Sequence, residues 1–400
     1  METTLLMVFK GFQYNTMQRV YFDNAATTPI SEEVINAMLP ILRGQYGNPS
    51  SIHAEGRSVR AALESARKAV AQSIGASTGE IFFTSGGTES NNMAIKCAVR
   101  DLGVQRIISS PTEHHCGTHA IETVHKVNGV EVVWLPVDVL GRPDYQALEA
   151  ALAESGSKKT LVSLMHANNE IGTMIDLGKV SGLCRQYGAF FHSDTVQTVG
   201  HFLINVQTTP VNFLSGAAHK FHGPKGVGFI YISPDSPIKP FIDGGAQERN
   251  MRGGTENVYG IVGLAKALEL ATAEMDERVA HICDVRNYLK EKLMKEFDDI
   301  QFNGDCNGDS LYTVLNVSFS PNPKNELLLL SLDIAGISCS GGSACSSGSE
   351  KGSHVLEAIH ADPARKSIRF SFSHYNTRTE VDFVLEKLKT ILPVRELIAA

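Results

Sequence analysis

The chain has no lysine or arginine run interleaved with aromatics, and its 43 Asp and Glu outnumber 36 Lys and Arg, for a formal net charge of -7. That balance offers no basic field to a phosphate backbone, so nucleic acid is not an expected partner. No apolar run approaches membrane-spanning length. The stretch Leu5 to Phe9 is short and lacks a basic flank before it, which argues against a secretory leader. Seven cysteines, an odd number, are scattered through 400 residues without metal-ligand spacing. They read as reduced thiols of a cytoplasmic protein, not as a disulfide framework. Internal repeats and low-complexity tracts are absent too. What remains, 42% apolar and 20% charged residues in a chain long enough to bury a sizeable core, fits a folded globular protein of one or two domains.

Apolar, β-branched runs alternate with helical periods. Strands are expected at Val20 to Asp23, Glu80 to Thr84, Arg106 to Ser110, Glu131 to Leu135, Thr160 to Met165, Phe190 to Ser193, Phe213 to Gly216 and Gly228 to Ile232. Helical patterns lie between several of them, at Gly56 to Ile74, Thr88 to Arg100, His115 to Val127 and Leu177 to Tyr187. This alternation predicts an α/β protein with a mostly parallel sheet between helices and its ligands at the carboxyl ends of the strands. A long helical pattern runs from about Val258 to Phe297. Beyond it, strands at Thr313 to Phe319 and Ser367 to Ser371, a helix at Asn325 to Ala335 and a last helix after the capping-box pattern Thr377-Arg378-Thr379-Glu380 predict a smaller α+β unit. Residues 1 to 18 read as a tail.

Lys220 stands in Ala218-His219-Lys220-Phe221-His222-Gly223-Pro224-Lys225-Gly226, shortly after His192-Ser193-Asp194-Thr195-Val196-Gln197. A lysine and an aspartate so placed, each at the end of a strand, suit pyridoxal phosphate. The amine forms the Schiff base, and the carboxylate keeps the ring nitrogen protonated so that the ring accepts electrons. The plainer reading of the lysine is a basic turn closing a strand. Thr84-Ser85-Gly86-Gly87-Thr88-Glu89-Ser90-Asn91-Asn92 joins a strand to a helix start, where glycines admit an anion to unpaired backbone N–H groups. It lacks the lysine of GxxxxGK[ST] and is not GxGxxG, which argues against nucleoside triphosphates and dinucleotides; a simple capped turn is the alternative. His114, leading a helix after the next strand, can stack on a cofactor ring or carry protons. His115, Cys116 and His119 suggest zinc, but no further ligand stands near them to complete a tetrahedral set, so no metal is expected. Cys339 adjoins an apolar stretch and reads as a buried thiol. Cys345, in Gly341-Gly342-Ser343-Ala344-Cys345-Ser346-Ser347-Gly348-Ser349, reads as an accessible thiolate nucleophile.

Taken together, Tyr21-Phe22-Asp23-Asn24-Ala25-Ala26-Thr27-Thr28, Gly47-Asn48-Pro49-Ser50-Ser51-Ile52-His53, Ser85 to Ser90, Met165-His166-Ala167-Asn168-Asn169-Glu170-Ile171-Gly172, Arg252-Gly253-Gly254-Thr255 and Gly342-Ser343-Ala344-Cys345 make the chain resemble the cysteine desulfurases of the NifS/IscS type, within the class V aminotransferase superfamily, from about Val20 to Leu392. The resemblance implies a pyridoxal-phosphate fold of type I, with a seven-stranded large domain over residues 30–265 and a small α+β domain made of 19–29 with 266–400. It implies Lys220 as the Schiff-base lysine, Asp194 at the pyridine nitrogen, and His114 stacked on the ring as acid or base. Asn169 and Gln197 would reach the phenolic oxygen. Gly87, Thr88 and His219 would hold the phosphate, joined by Thr255 of a neighbouring copy in a homodimer. Arg369 would bind the substrate carboxylate, with Asn48 nearby. L-cysteine would be the substrate, Cys345 would carry its sulfur as a persulfide, and an acceptor such as an iron–sulfur scaffold protein would receive it. Selenocysteine lyases and aminotransferases of this fold would share Lys220 and Asp194; a non-catalytic sulfur carrier or assembly scaffold is the alternative of another class. The chain departs from the family's usual pattern at Ala217, where a serine often supplies a phosphate hydrogen bond, at a cost of about 0.5–1.5 kcal/mol if nothing replaces it.

Overall fold

A computed structural model describes residues 19–341 and 352–394. In chain order the first part comprises β1 (Val20–Tyr21), α1 (Glu32–Gly44), α2 (Ala54–Ser73), β2 (Ile81–Thr84), α3 (Gly87–Leu102), β3 (Arg106–Ser109), α4 (His115–Asn128), β4 (Glu131–Trp134), α5 (Tyr145–Ala153), β5 (Thr160–Ser163), α6 (Leu177–Gln186), β6 (Phe190–Asp194), β7 (Phe213–Ala217) and β8 (Gly228–Ile232). Seven of these strands form one sheet in the order β2-β8-β7-β6-β5-β3-β4. Only β8 runs against its neighbours. The other six therefore present their carboxyl ends along one edge.

Burial explains why these strands read as nearly continuous apolar runs. Ile108, Val162, Phe191 and Leu214 pack on one face against α2, α5, α6 and the helix Val258–Ala273. Ile107, Leu161, Phe190 and Phe213 alternate with them on the other face, under α3 and α4. A sheet covered on both faces needs apolar side chains at every position. The edge strand β4 is less buried throughout.

A second core lies around β9 (Gln301–Asn303), β10 (Val314–Phe319) and β12 (Lys366–Ser371), which pair in the antiparallel order β12-β10-β9. Phe22 packs in it with Val285, Leu289, Leu315, Phe370 and Leu385. The short parallel pair of β1 with β11 (Ile337–Ser338) joins the start of the described chain to this C-terminal part. That pairing carries residues 23–28 toward the edge where the parallel strands end.

Several elements differ from expectation. The pattern from Val258 is two helices, Val258–Ala273 and Met275–Glu296, meeting at Glu274. The expected helix at Asn325 begins as a 3-10 turn over Pro323–Leu327 and is α-helical only from Leu328 to Ile334. Helix α1 was not expected from periodicity, since Pro40 lies inside it and removes a backbone donor. Ser31 caps that helix by accepting from Val34 N, and Val34 and Ile41 bury its inner face. The capping box at Thr377 and Glu380 is present, starting the helix Arg378–Ile391.

Candidate active site

Five parallel strands deliver the site. The 3-10 turn Ala218–Lys220 continues β7, and the Lys220 amine donates to Ala25 O at 2.6 Å and Ala26 O at 2.9 Å. Asp194 ends β6 and is buried, with its carboxylate accepting from Val196 N at 2.9 Å and Asn91 Nδ2 at 2.5 Å. Beyond β2, α3 starts at Gly87 with no side chain among the described residues capping it, which leaves its first N–H groups for an anion. A Cβ at Gly87 would stand 2.5 Å from Val196 Cγ2, so this position accepts only glycine without a shift. Behind the turn, Glu89 accepts from Ser85 N at 2.8 Å and pairs with Arg252 at 3.0 Å.

His114 follows β3 and caps α4 through its ring, Nδ1 accepting from Cys116 N at 3.2 Å. Burial lowers its pKa, with Asp194 opposing that effect and Lys220 adding to it, so the ring is neutral near pH 7. Asn169 follows β5. Arg369, on β12, is 1% exposed; its Nη2 donates to Asp23 Oδ1 at 2.7 Å and its Nη1 to Asn169 O at 2.9 Å. Among the described residues the arginine Nε is buried without a partner.

These groups converge on a cavity of about 210 Å³. Lys220, Asp194, His114, Gly87, Thr88, His219, Asn169, Gln197 and Arg369 all line it. Asn48 does not; it is exposed, and its Oδ1 accepts from Ser50 N at 2.8 Å. Thr255 lines a different cavity, with Ser85, Arg252 and Asn257. Cys345 lies outside the described residues. Ala217 reaches the main cavity, whereas Ser215, two residues back, places its Oγ 3.4 Å from His192 Nε2 and so does not stand in for a serine there.

Sequence reasoning missed a layer behind the cavity. Asn91, one turn along α3 from Gly87, donates to both Asp194 and Cys116 Sγ, and its Oδ1 lies 3.1 Å from His192 Nε2. Cys116 itself lines the cavity, while His115 and His119 stack on each other with ring centroids 5.1 Å apart. The second residue of a helix capped by His114 was a signal for Cys116. Nothing in the sequence announced its partner on α3. Cys339, expected to be buried, is half-buried, and desolvation pushes its thiol up to about 12.

A lysine amine, a doubly hydrogen-bonded carboxylate and an uncapped helix start, facing one cavity at the carboxyl ends of parallel strands, define an enzyme of the open α/β class. The chain belongs to the aminotransferase class-V family, whose model matches residues 20–384. It is 45% identical to the cysteine desulfurase IscS of Dictyoglomus turgidum over 95% of this chain and 98% of that protein. Among solved structures, a NifS-like protein superposes with a TM-score of 0.86 at 37% identity, covering 94% of this chain and 99% of the other. A structure described as SspA in complex with cysteine gives 0.77 at 30% identity, covering 90% and 100%.

Proposed function

We propose that this chain is a pyridoxal-phosphate-dependent cysteine desulfurase that converts L-cysteine to L-alanine and leaves the sulfur as a persulfide on Cys345. The observation that carries the reading is the meeting of Lys220, Asp194 and Arg369 in one cavity. The residues present suit the cofactor. Among the described residues no side chain caps the start of α3, Gly87 keeps it open, and Thr88 and His219 stand beside it to take the phosphate. Asp194, with donors on both oxygens, would hold a proton on the ring nitrogen. Bound there, pyridoxal phosphate supplies an electron sink for charge released at the substrate's α-carbon.

The protein's own groups do the rest. Arg369 would orient the substrate carboxylate, since a guanidinium fork matches that group in plane. His114, neutral and half-buried, would stack over the ring, and Lys220 would take and return the α-proton. Cys345, as thiolate, would attack the substrate sulfur; the Cβ–S bond breaks, its electrons take a proton to give alanine, and a persulfide forms on the enzyme. Both described ends of the segment carrying Cys345 meet the site. Ser340 Oγ donates to Asp23 Oδ1 at 2.8 Å, beside Arg369, and His354 Nε2 donates to Glu113 O at 2.9 Å, beside His114.

Thr255 lies apart from the cavity of its own chain, which supports a homodimer in which it completes the partner copy's phosphate site. The persulfide would pass to an acceptor protein, as iron–sulfur cluster assembly requires. After incubation with L-cysteine, mass spectrometry is expected to show one added sulfur on the Cys345 peptide. Cys345→Ser should keep the cofactor's absorbance yet release no sulfide in the presence of dithiothreitol. Full activity in that variant sinks the proposal.

A further inference from the structure

Cys116 is a thiol in the cavity wall to which the reaction above gives no task. Its Sγ lies 2.9 Å from His114 Nδ1 and accepts from Asn91 Nδ2 at 3.1 Å. One sulfur thus touches the imidazole beside the cavity and the amide that also binds Asp194. The direction of the sulfur–imidazole bond follows from its neighbours. Nδ1 already accepts the backbone N–H of Cys116, so it carries no proton. Burial pushes the Cys116 thiol up to about 12, so the sulfur keeps its hydrogen. The only hydrogen between the two atoms is the thiol's.

We propose that Cys116 is a positioning residue for His114: its S–H donates to Nδ1, holding the imidazole as the neutral tautomer with its proton on Nε2, while its lone pairs tie that ring to Asn91 and, through it, to Asp194. Forming the imidazolium would place a proton on Nδ1 and break both the cap and the thiol contact. Other charges also face the ring: Asp194 favours protonation, whereas Lys220, His354 and His119 oppose it. The thiol adds a directional constraint to that balance. The backbone N–H alone still favours the same tautomer, so removing the thiol should raise the pKa of His114 without switching the tautomer.

This inference rests on the reading of the site given above, and its test is separable from it. In the cofactor-free chain with 15N-labelled histidine, His114 (assigned with His114→Gln) should show the Nε2–H pattern. Cys116→Ala should raise its pKa by about half a unit to one unit, the effect of losing one neutral hydrogen bond. Cys116→Ser, which keeps a donor, should titrate with the native chain. In the loaded enzyme the acid limb of kcat/KM should move up by the same amount in the alanine variant, with kcat about three- to tenfold lower and KM for cysteine little changed. A proton on Nδ1 in the native chain, coincident titrations of native and alanine variants, or a serine variant that follows alanine overturns the assignment. Failure of the native enzyme to form alanine from cysteine would instead defeat the functional proposal, leaving the NMR result to stand alone.

Discussion

Arg369 shows how much a single side chain holds at this site. Its fork joins Asp23, in the turn after β1, to the backbone of Asn169, in the turn after β5, and a cation 1% exposed needs such partners. A lysine has one point of charge and cannot serve both acceptors in plane. Arg369→Lys is expected to raise KM for cysteine about 10- to 100-fold, the loss of roughly 1.5–3 kcal/mol for a charge-assisted bond, with a smaller change in kcat. Steady-state kinetics on the purified variant decide this, and an unchanged KM would remove Arg369 from substrate binding. At this scale the sequence was legible where a residue stands at the end of a strand: Lys220 and Asp194 both line the cavity. Roles set by a partner distant in the chain were not. Asn91 meets Cys116 only because α3 and α4 lie side by side, and Ser215 shares a strand face with Ala217 yet lies about 7 Å deeper in the sheet, by His192.

Among the elements, the turn at 248–250 is the most constrained. Glu248, Arg249 and Asn250 have φ values of 43°, 56° and 64°, a left-handed run that costs side-chain-bearing residues about 1–2 kcal/mol each. Buried contacts hold it. Arg67 Nη1 and Nη2 donate to the two Glu248 oxygens at 2.7 and 2.9 Å, Phe83 N donates to Glu248 Oε2 at 2.8 Å, and the guanidinium lies over the Phe83 ring. The turn thus locks to α2 and β2 and sets the position of Arg252, which reaches Glu89 behind the helix start of the site. Arg67→Met strands a buried carboxylate and should cost about 3–5 kcal/mol in urea unfolding at pH 7. Adding Glu248→Gln, which keeps an acceptor for Phe83 N, should recover part of that loss; a single variant as stable as the native chain would contradict the lock. Neither the left-handed run nor the pair could be read from sequence, because residues 67 and 248 meet only in the fold. Periodicity found the core strands and overlooked α1 and β11, one broken by a proline and the other only two residues long.

Over the whole molecule, buried imidazoles link folding to pH. Burial lowers the pKa of His166 and His192 to about 4 and that of His222 to about 3. Each has a partner: His166 Nδ1 lies 3.0 Å from Thr198 Oγ1, His192 Nδ1 lies 2.9 Å from Ser163 Oγ, and His222 Nδ1 donates to Pro29 O at 2.9 Å. A histidine depressed in the fold contributes stability that is fully present above the unfolded value near 6.5 and lost as pH falls toward the folded value. Glu113 works in the opposite direction. Its carboxyl is raised well above the usual range by burial, so the fold binds a proton that the unfolded chain lacks above about 4.5. Between about pH 6 and 4.5 these three imidazoles, less the one carboxyl, leave the unfolded chain holding about two more protons than the fold, and His201, His219 and His374, also lowered to about 4 by burial, widen that difference. The unfolding free energy should therefore drop by at least roughly 2.7 kcal/mol per pH unit across that window. Urea titrations at pH 6.0, 5.5 and 5.0 measure the slope directly, and His192→Asn should lessen it by about 1.4 kcal/mol per pH unit, since it removes one of those protons and one of the links behind Asp194. A flat profile would mean that these rings open to water well before the chain unfolds, and that the network behind the cavity is looser than its hydrogen bonds imply.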